Sequence, residues 1–210
     1  MMKEKVKEMK RDFIIEVAKG LFFEKGYENT SIDEVAKSAG ISKSTLYTYV
    51  KGKEDLFISI HYNGMKLRVE QLKIEMNSKT TGYDKIYAFG EVYYNFYKQN
   101  PGYFKLHMFE DYNSINKEKV KTFIYQEFDN LLNEVISLVR SAFESGIQDG
   151  SLKNDLNIEY CDKYFAYTLR IILNVAFSPE KTKHIIDKYD EERFYFQYLD
   201  LFMTAIKNTK

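Results

Sequence analysis

The chain has 210 residues, of which 44% are hydrophobic and 16% aromatic, and its 31 basic residues equal its 31 acidic ones. This length allows one large or two small domains with an ample core, and a net charge of zero provides no general attraction to nucleic acid. The single cysteine, Cys161, excludes an internal disulfide and a thiolate-based metal site.

Membrane insertion and secretion are also disfavoured. No stretch of about 18 uncharged apolar residues occurs, so nothing in the sequence is expected to span a membrane. The apolar residues near the start are periodic and interrupted by charge, which is unlike a signal peptide. The sequence therefore predicts a soluble cytoplasmic protein.

The first predicted helix ends at a glycine. It carries an apolar stripe at helical spacing, formed by Phe13, Ile14, Val17, Ala18, Leu21 and Phe22. Lys25-Gly26-Tyr27 marks its end, because glycine readily adopts the left-handed conformation that closes many helices.

Residues 31–53 predict two short helices joined by a tight turn. Ser31 can cap the first helix, and Glu34, three residues later, completes a capping box. Gly40 follows at the point where the chain must turn sharply, and Ser42 can cap the second helix. This arrangement is that of a helix-turn-helix, whose second helix enters the major groove of DNA.

The second of these helices has two different faces. At about 100° per residue, Leu46, Tyr49 and Val50 lie together and are expected to pack inward. The opposite face carries groups that suit phosphates and base edges, namely Lys43, Ser44, Tyr47, Thr48 and Lys51. On these residues alone, an amphipathic helix with an ordinary solvated face is the alternative.

The run from Ile14 to Phe57 resembles the DNA-binding domain of TetR-type (tetracycline-repressor family) transcriptional regulators. The matching pieces are Leu21-Phe22-Phe23-Glu24-Lys25-Gly26-Tyr27, Thr30-Ser31-Ile32-Asp33-Glu34-Val35-Ala36, Ala39-Gly40-Ile41-Ser42-Lys43-Ser44-Thr45-Leu46-Tyr47 and Lys51-Gly52-Lys53-Glu54-Asp55-Leu56. One departure is Val50, where the family more often has Phe. Both residues are apolar, so the departure affects no functional position.

The resemblance implies roles for the polar residues of the second helix and its neighbour. Lys43, Ser44 and Thr48 match positions that face bases or adjacent phosphates in such regulators. Lys53, at the start of the next helix, matches a phosphate-contacting lysine, and its backbone N–H points the same way.

Four further positions are implied to contact the DNA backbone or a thymine methyl. Thr45, Tyr47 and Tyr49 match such positions, and Thr30 lies where a phosphate contact is expected. Alternatives stay open for two of them, since Tyr49 falls on the inward side of its helix and Thr30 can serve as a cap alone.

Beyond residue 57 the chain predicts further helices, because prolines and glycines are few and no alternating strand pattern persists. The predicted spans are 53–76, 83–98, 102–112, 117–145, 157–177 and 190–207. The expected fold is therefore all-α. A three-helix DNA-binding head (residues 1–52) precedes a helical-bundle effector and dimerisation domain (residues 53–210).

Aromatic residues crowd the segment from Tyr93 to Tyr112. The helical bundle of TetR-type regulators commonly encloses a pocket for a small effector, and tyrosine supplies both apolar and polar character. The resemblance therefore implies an apolar or aromatic effector, for which the candidate contacts are Tyr97, Phe104, His107, Phe128 and Phe165. The alternative for each residue is a place in an aromatic-rich core.

The last two long helices carry apolar residues on more than one face, which predicts a homodimer. Arg170 lies among apolar neighbours and needs a partner if it is buried. That partner is a carboxylate across the subunit interface, an anionic effector or, most simply, an internal ion pair.

The function predicted is sequence-specific transcriptional regulation, by a repressor that a small molecule releases from a palindromic operator. No enzyme activity, metal or cofactor is expected, because the three histidines (His61, His107 and His184) are far apart and no catalytic motif occurs. The alternatives are an effector-independent or architectural DNA-binding protein and, more distantly, an enzyme domain with a DNA-binding head.

Overall fold

The computed structural model of the protein describes residues 2–108, 116–178 and 190–209. These residues form the helices α1 (Met2–Lys25), α2 (Ile32–Ser38), α3 (Lys43–Leu46), α4 (Lys53–Asn77), α5 (Gly82–Gln99), α6 (Pro101–His107), α7 (Thr122–Gln148), α8 (Ile158–Phe177) and α9 (Glu191–Ile206). Within these ranges, extended pairing is limited to a bridge between Leu152 and Lys207. The predicted all-α fold is confirmed.

Most predicted helices begin and end within one or two residues of the observed ones. An exception is α7, which begins at Thr122 rather than at Lys117, because Lys117–Lys119 forms a separate 3-10 turn. The predicted helix 102–112 corresponds to α6, which has proline at its first position, where a missing N–H costs nothing. Residues 109–112 of that prediction lie outside the described residues, as does His184.

The chain divides into two compact units. The first unit contains residues 1–67 and 99–132, and the second contains residues 68–98 and 133–210. Helices α4 and α7 therefore contribute residues to both units. The functional boundary predicted between residues 52 and 53 stays a prediction.

The core of the first unit begins with one face of α1. Ile14, Ile15, Ala18 and Phe22 are buried there, whereas Phe13 is 56% exposed. Phe13 belongs to the apolar stripe of the sequence but not to this buried face, because Ile14, Ala18 and Phe22, spaced by four, point to the core and Phe13 falls beside them.

The core of the second unit joins α8 and α9. Phe165, Leu169 and Leu173 from α8 and Leu199 and Met203 from α9 are fully buried. None of the described helices combines the length and the apolar composition that crossing a membrane requires.

Candidate DNA-binding surface

Local hydrogen bonds define both short helices after α1. Ser31 accepts the backbone N–H of Glu34 at 3.1 Å, and Ser42 accepts that of Thr45 at 3.1 Å, so both predicted caps are confirmed. Between them, Gly40 has φ of 68°, which residues with a side chain rarely adopt. The turn between α2 and α3 therefore depends on this glycine.

The two faces predicted for the α3 region are observed. Leu46 and Val50 are buried, and the side chains of Lys43, Ser44 and Tyr47 are exposed. The helical course continues past Leu46, because the N–H of Val50 donates to the carbonyl of Leu46 at 3.1 Å. Thr45 and Thr48 are exposed as well.

Lys43 is held by an acidic neighbour on α2. Its Nζ lies 2.7 Å from the Oδ1 of Asp33, and both side chains are more than half exposed. The hydrogen bond and the negative charge of Asp33 raise the pKa of Lys43, so its ammonium group is fully charged at neutral pH. Lys43 could thus exchange one exposed oxygen partner for another without leaving water.

The exposed hydroxyl groups bond within the same turn. The Oγ of Ser42 lies 2.8 Å from both the Oγ of Ser44 and the Oγ1 of Thr45, and the hydroxyl of Thr48 donates to the carbonyl of Thr45 at 2.7 Å. These local bonds orient the hydroxyl groups while leaving the side chains on the surface.

Lys53 is the first residue of α4 and lies against Tyr27. Its Nζ is 4.2 Å from the centroid of the Tyr27 ring and donates to the carbonyl of Glu28 at 3.2 Å. Partial burial lowers the pKa of Lys53, and the charges of Glu28 and Glu54 oppose this effect. The aromatic ring therefore positions a cation at the start of α4.

Thr30 and Tyr49 have contacts within the protein. Thr30 is only 2% exposed, and its hydroxyl donates to the carbonyl of Gly26 at 2.9 Å. Its burial favours the structural alternative for this side chain. Tyr49 is half-buried, and its backbone carbonyl accepts a hydrogen bond from the Nζ of Lys121. DNA contacts by these two residues stay predictions.

A buried carboxylate connects several segments of the first unit, which the sequence did not indicate. Asp55 is completely buried and accepts hydrogen bonds from the N–H of Lys51 at 2.9 Å, the N–H of Lys121 at 3.3 Å and the guanidinium of Arg11 at 3.3 Å. From the sequence, Asp55 is merely an acid in a first helical turn, and nothing local relates it to Arg11 or Lys121.

The sequence predicts Lys51 on the DNA-facing side of the recognition region. In the structure its ammonium group also bonds to the protein backbone. Its Nζ donates to the carbonyls of Val120 at 2.9 Å and Glu118 at 3.2 Å. The segment before α7 thus holds the turn that follows α3. A cavity of about 160 Å³ in the first unit is lined by Glu4, Lys7, Glu8, Arg11, Tyr49 and Lys121.

Three of the candidate effector contacts lie in the first unit. The rings of His107 and Phe128 both contact His61, with centroids 5.9 and 5.2 Å apart, and Phe104 is buried. His61 was not predicted to take part, and it is this buried residue that brings His107 and Phe128 together.

The other two candidate contacts lie in the second unit and join one chain of rings. Phe165 lies 5.7 Å from Phe89, Phe89 stacks on Tyr93 at 5.9 Å, and Tyr93 contacts Tyr97 at 5.3 Å between ring centroids. An effector role for all five residues stays a prediction.

Arg68 is a further candidate for contact with an effector, and it was not predicted from the sequence. It is 3% exposed and belongs to α4, where a spacing of three from Met65 and four from Leu72 puts it on a buried stripe. That periodicity could have identified it.

Arg170 is half-buried, and its charge reaches Tyr93 and Tyr97. Among the described residues, no cluster of histidine, cysteine or acidic side chains suits a metal ion.

Residues 14–60 match the family model described as bacterial regulatory proteins, tetR family. The fatty acid metabolism regulator protein of Bacillus subtilis (strain 168) is 23% identical over 195 residues, which are 93% of this chain and 94% of that protein. The resemblance to TetR-type transcriptional regulators is therefore confirmed.

Solved structures show the same fold along nearly the whole chain. The transcriptional regulator FadR from Bacillus subtilis, in complex with stearoyl-CoA, superposes with a TM-score of 0.73 at 21% identity, covering 92% of this chain and 98% of that one. FadR from Bacillus halodurans gives a TM-score of 0.70 at 20% identity, with coverages of 92% and 94%.

Proposed function

We propose that this chain, with a TetR-family DNA-binding domain over residues 14–60, is a repressor that binds a palindromic operator as a homodimer and is released by a small molecule. The observation that carries the proposal is the exposed face of the recognition helix, defined here as α3 with its following turn (residues 43–49). It presents a cation, hydroxyl groups and a tyrosine ring above a buried apolar side.

We assign the reading of the base sequence to the start of the recognition helix. The groups near that start are assigned to hold the protein in position on the duplex. Lys43 and Ser44 stand at the start of this helix, the end that reaches base edges in helix-turn-helix proteins. Tyr47, within this helix, and Lys53, at the start of α4, supply contacts to the DNA backbone. Because the chain has no net charge, its DNA affinity rests on these few local groups rather than on a general field.

The dimer is assigned to the outer face of α8 together with α9. Five large apolar side chains are between 55% and 72% exposed there, namely Tyr160, Tyr164, Tyr167, Ile171 and Leu201. Large exposed apolar patches are characteristic of protein interfaces. Phe165, Leu169 and Ala176, which contribute to the apolar excess of α8, are buried inside the chain instead. A two-fold dimer would separate the recognition helices by about 34–36 Å, to match successive major grooves.

We assign the release of operator DNA to a change in the tilt of α4. This helix begins with Lys53 at the DNA-binding surface and continues with residues of the second unit from Arg68 onward. A ligand that biases the tilt of α4 would change the separation of the two recognition helices. Linkage then requires DNA to weaken ligand binding by the same factor, typically about 5- to 150-fold.

The effector proposed is a molecule with a large apolar body. The aromatic chain from Phe165 to Tyr97 supports this chemistry, and a similar regulator has been solved in complex with stearoyl-CoA. Long-chain acyl compounds are therefore the first class to test, followed by aromatic compounds.

The test begins by sequencing the genomic DNA that the purified protein retains. A palindromic site is expected, protected over two successive major grooves. Fluorescence anisotropy with this site then measures release by acyl and aromatic compounds. A site that no compound releases would favour an effector-independent regulator, and a non-palindromic site would contradict the dimeric arrangement.

A further inference from the structure

A positive charge is buried in the second unit. The side chain of Arg68 is 3% exposed, and no carboxylate lies within ion-pair distance of it among the residues that the structure describes. Its Nη1 donates to the hydroxyl of Tyr97, but its Nε has no acceptor within the same residues. A buried charge is costly unless it is paired and hydrogen-bonded.

The groups around Arg68 do not neutralise it. Its guanidinium carbon lies 4.8 Å from the ring centroid of Tyr93 and 5.4 Å from that of Tyr97, so the faces of both rings stabilise the cation in part. Burial raises the pKa of both phenols although Arg68 and Arg170 oppose it, so both tyrosines are neutral at physiological pH. The charged groups that act on these two phenols are thus Arg68 and Arg170, and both are positive.

Apolar rings adjoin this cation. Phe89 stacks on Tyr93 at 5.9 Å, and Phe96 contacts Tyr97 edge-on at 5.2 Å between centroids. A group that completes the site must therefore carry a negative charge for the guanidinium and an apolar body for the rings. Carboxylates pair with guanidinium groups through two parallel hydrogen bonds, which is the geometry that a free Nε allows.

We propose that Arg68 binds the carboxylate of an amphipathic ligand that has one anionic end and an apolar body. The site rests on the proposed function only in that this ligand is taken to be the effector. A carboxylate site also predicts different affinities for two forms of acyl compound. A free fatty acid ends in a carboxylate, whereas the acyl carbonyl of a CoA thioester is neutral and its phosphates are far from the acyl chain.

The test measures ligand binding to the full-length protein without DNA. The probes are octanoate, dodecanoate and hexadecanoate, each paired with the alcohol of the same length, together with hexadecanoyl-CoA. All are used below their critical micelle concentrations, with titration calorimetry and thermal denaturation as readouts. At least one carboxylate is expected to bind about tenfold or more tightly than its alcohol and than the CoA thioester.

The decisive variant is Arg68→Met, which has a similar length and no charge. It is expected to bind the carboxylate no better than the alcohol, and without ligand its melting temperature should equal or exceed that of the parent, because an uncompensated charge is removed. Lys66→Met, which changes an exposed cation on the same helix, should keep the preference. Arg68→Gln serves the same purpose if the methionine variant fails to fold.

Three results would overturn the site. These are equal affinity for carboxylate and alcohol in the parent protein, a carboxylate preference that survives in the folded Arg68 variant, and no binding by any carboxylate of the panel. Operator release is measured separately with the same probes. A carboxylate that binds through Arg68 and leaves the operator occupied contradicts the proposed function but supports the anion site.

Discussion

The carboxylate of Asp55 accepts a hydrogen bond from the backbone N–H of Lys51 at 2.9 Å, which ties the turn after the recognition helix to the first turn of α4. Because Asp55 is completely buried and also bonds to Arg11 and Lys121, three separate segments meet at one charge. The orientation of the recognition helix relative to α4 thus depends on this carboxylate.

Asp55→Ala is expected to lower the free energy of unfolding by about 3–5 kcal/mol, because Arg11 loses a buried partner and two backbone N–H groups lose an acceptor. Urea denaturation followed by circular dichroism measures the change. Asp12→Ala, at an exposed position of α1, is the control and should change stability little. Equal stability of the two variants would contradict a central role for Asp55.

Lys43→Ala and Tyr47→Ala are each expected to weaken operator binding about 10- to 100-fold while the fold is unchanged, since both side chains are exposed. Fluorescence anisotropy with the operator provides the affinities, and Lys37→Ala, at an exposed position of α2, is the control. If both variants bind as tightly as the parent, residues 43–49 are not the reading surface.

Lys53→Ala should weaken binding to specific and non-specific DNA alike, because a phosphate contact does not read sequence. The slope of log affinity against log salt concentration should become shallower by about one. The measurement is a salt titration on the operator and on an unrelated duplex. An unchanged slope would indicate that Lys53 serves only its contact with Tyr27.

Ile171→Glu is expected to convert the proposed dimer to monomer at micromolar concentration, because it puts a charge on the exposed apolar face of α8, where Ile171 is 60% exposed. Light scattering decides the mass. Leu67→Glu, at an exposed apolar position on α4, is the control and should leave the mass unchanged. A parent protein of monomeric mass would contradict the proposed dimer.

Much of the candidate DNA-binding surface was predictable from the sequence, because its determinants are local. Ser31 and Ser42 cap helices that begin beside them, and Gly40 allows a turn within the same few residues. The inward and outward faces of the recognition helix follow from the angle between successive residues, so the burial of Leu46 and the exposure of Lys43 were both expected.

The tertiary structure decided what depends on partners distant in sequence. Asp55 is buried and bonds to Arg11, 44 positions earlier in the chain, and to Lys121, 66 positions later. No local pattern relates these residues. The same holds for Arg68. Its periodic position predicts burial, but packing decides its contact with Tyr97 and the absence of a carboxylate partner among the described residues. Helix ends and faces follow from short-range geometry and hydrogen bonding, whereas the partner of a buried charge is set by which segments the fold brings together.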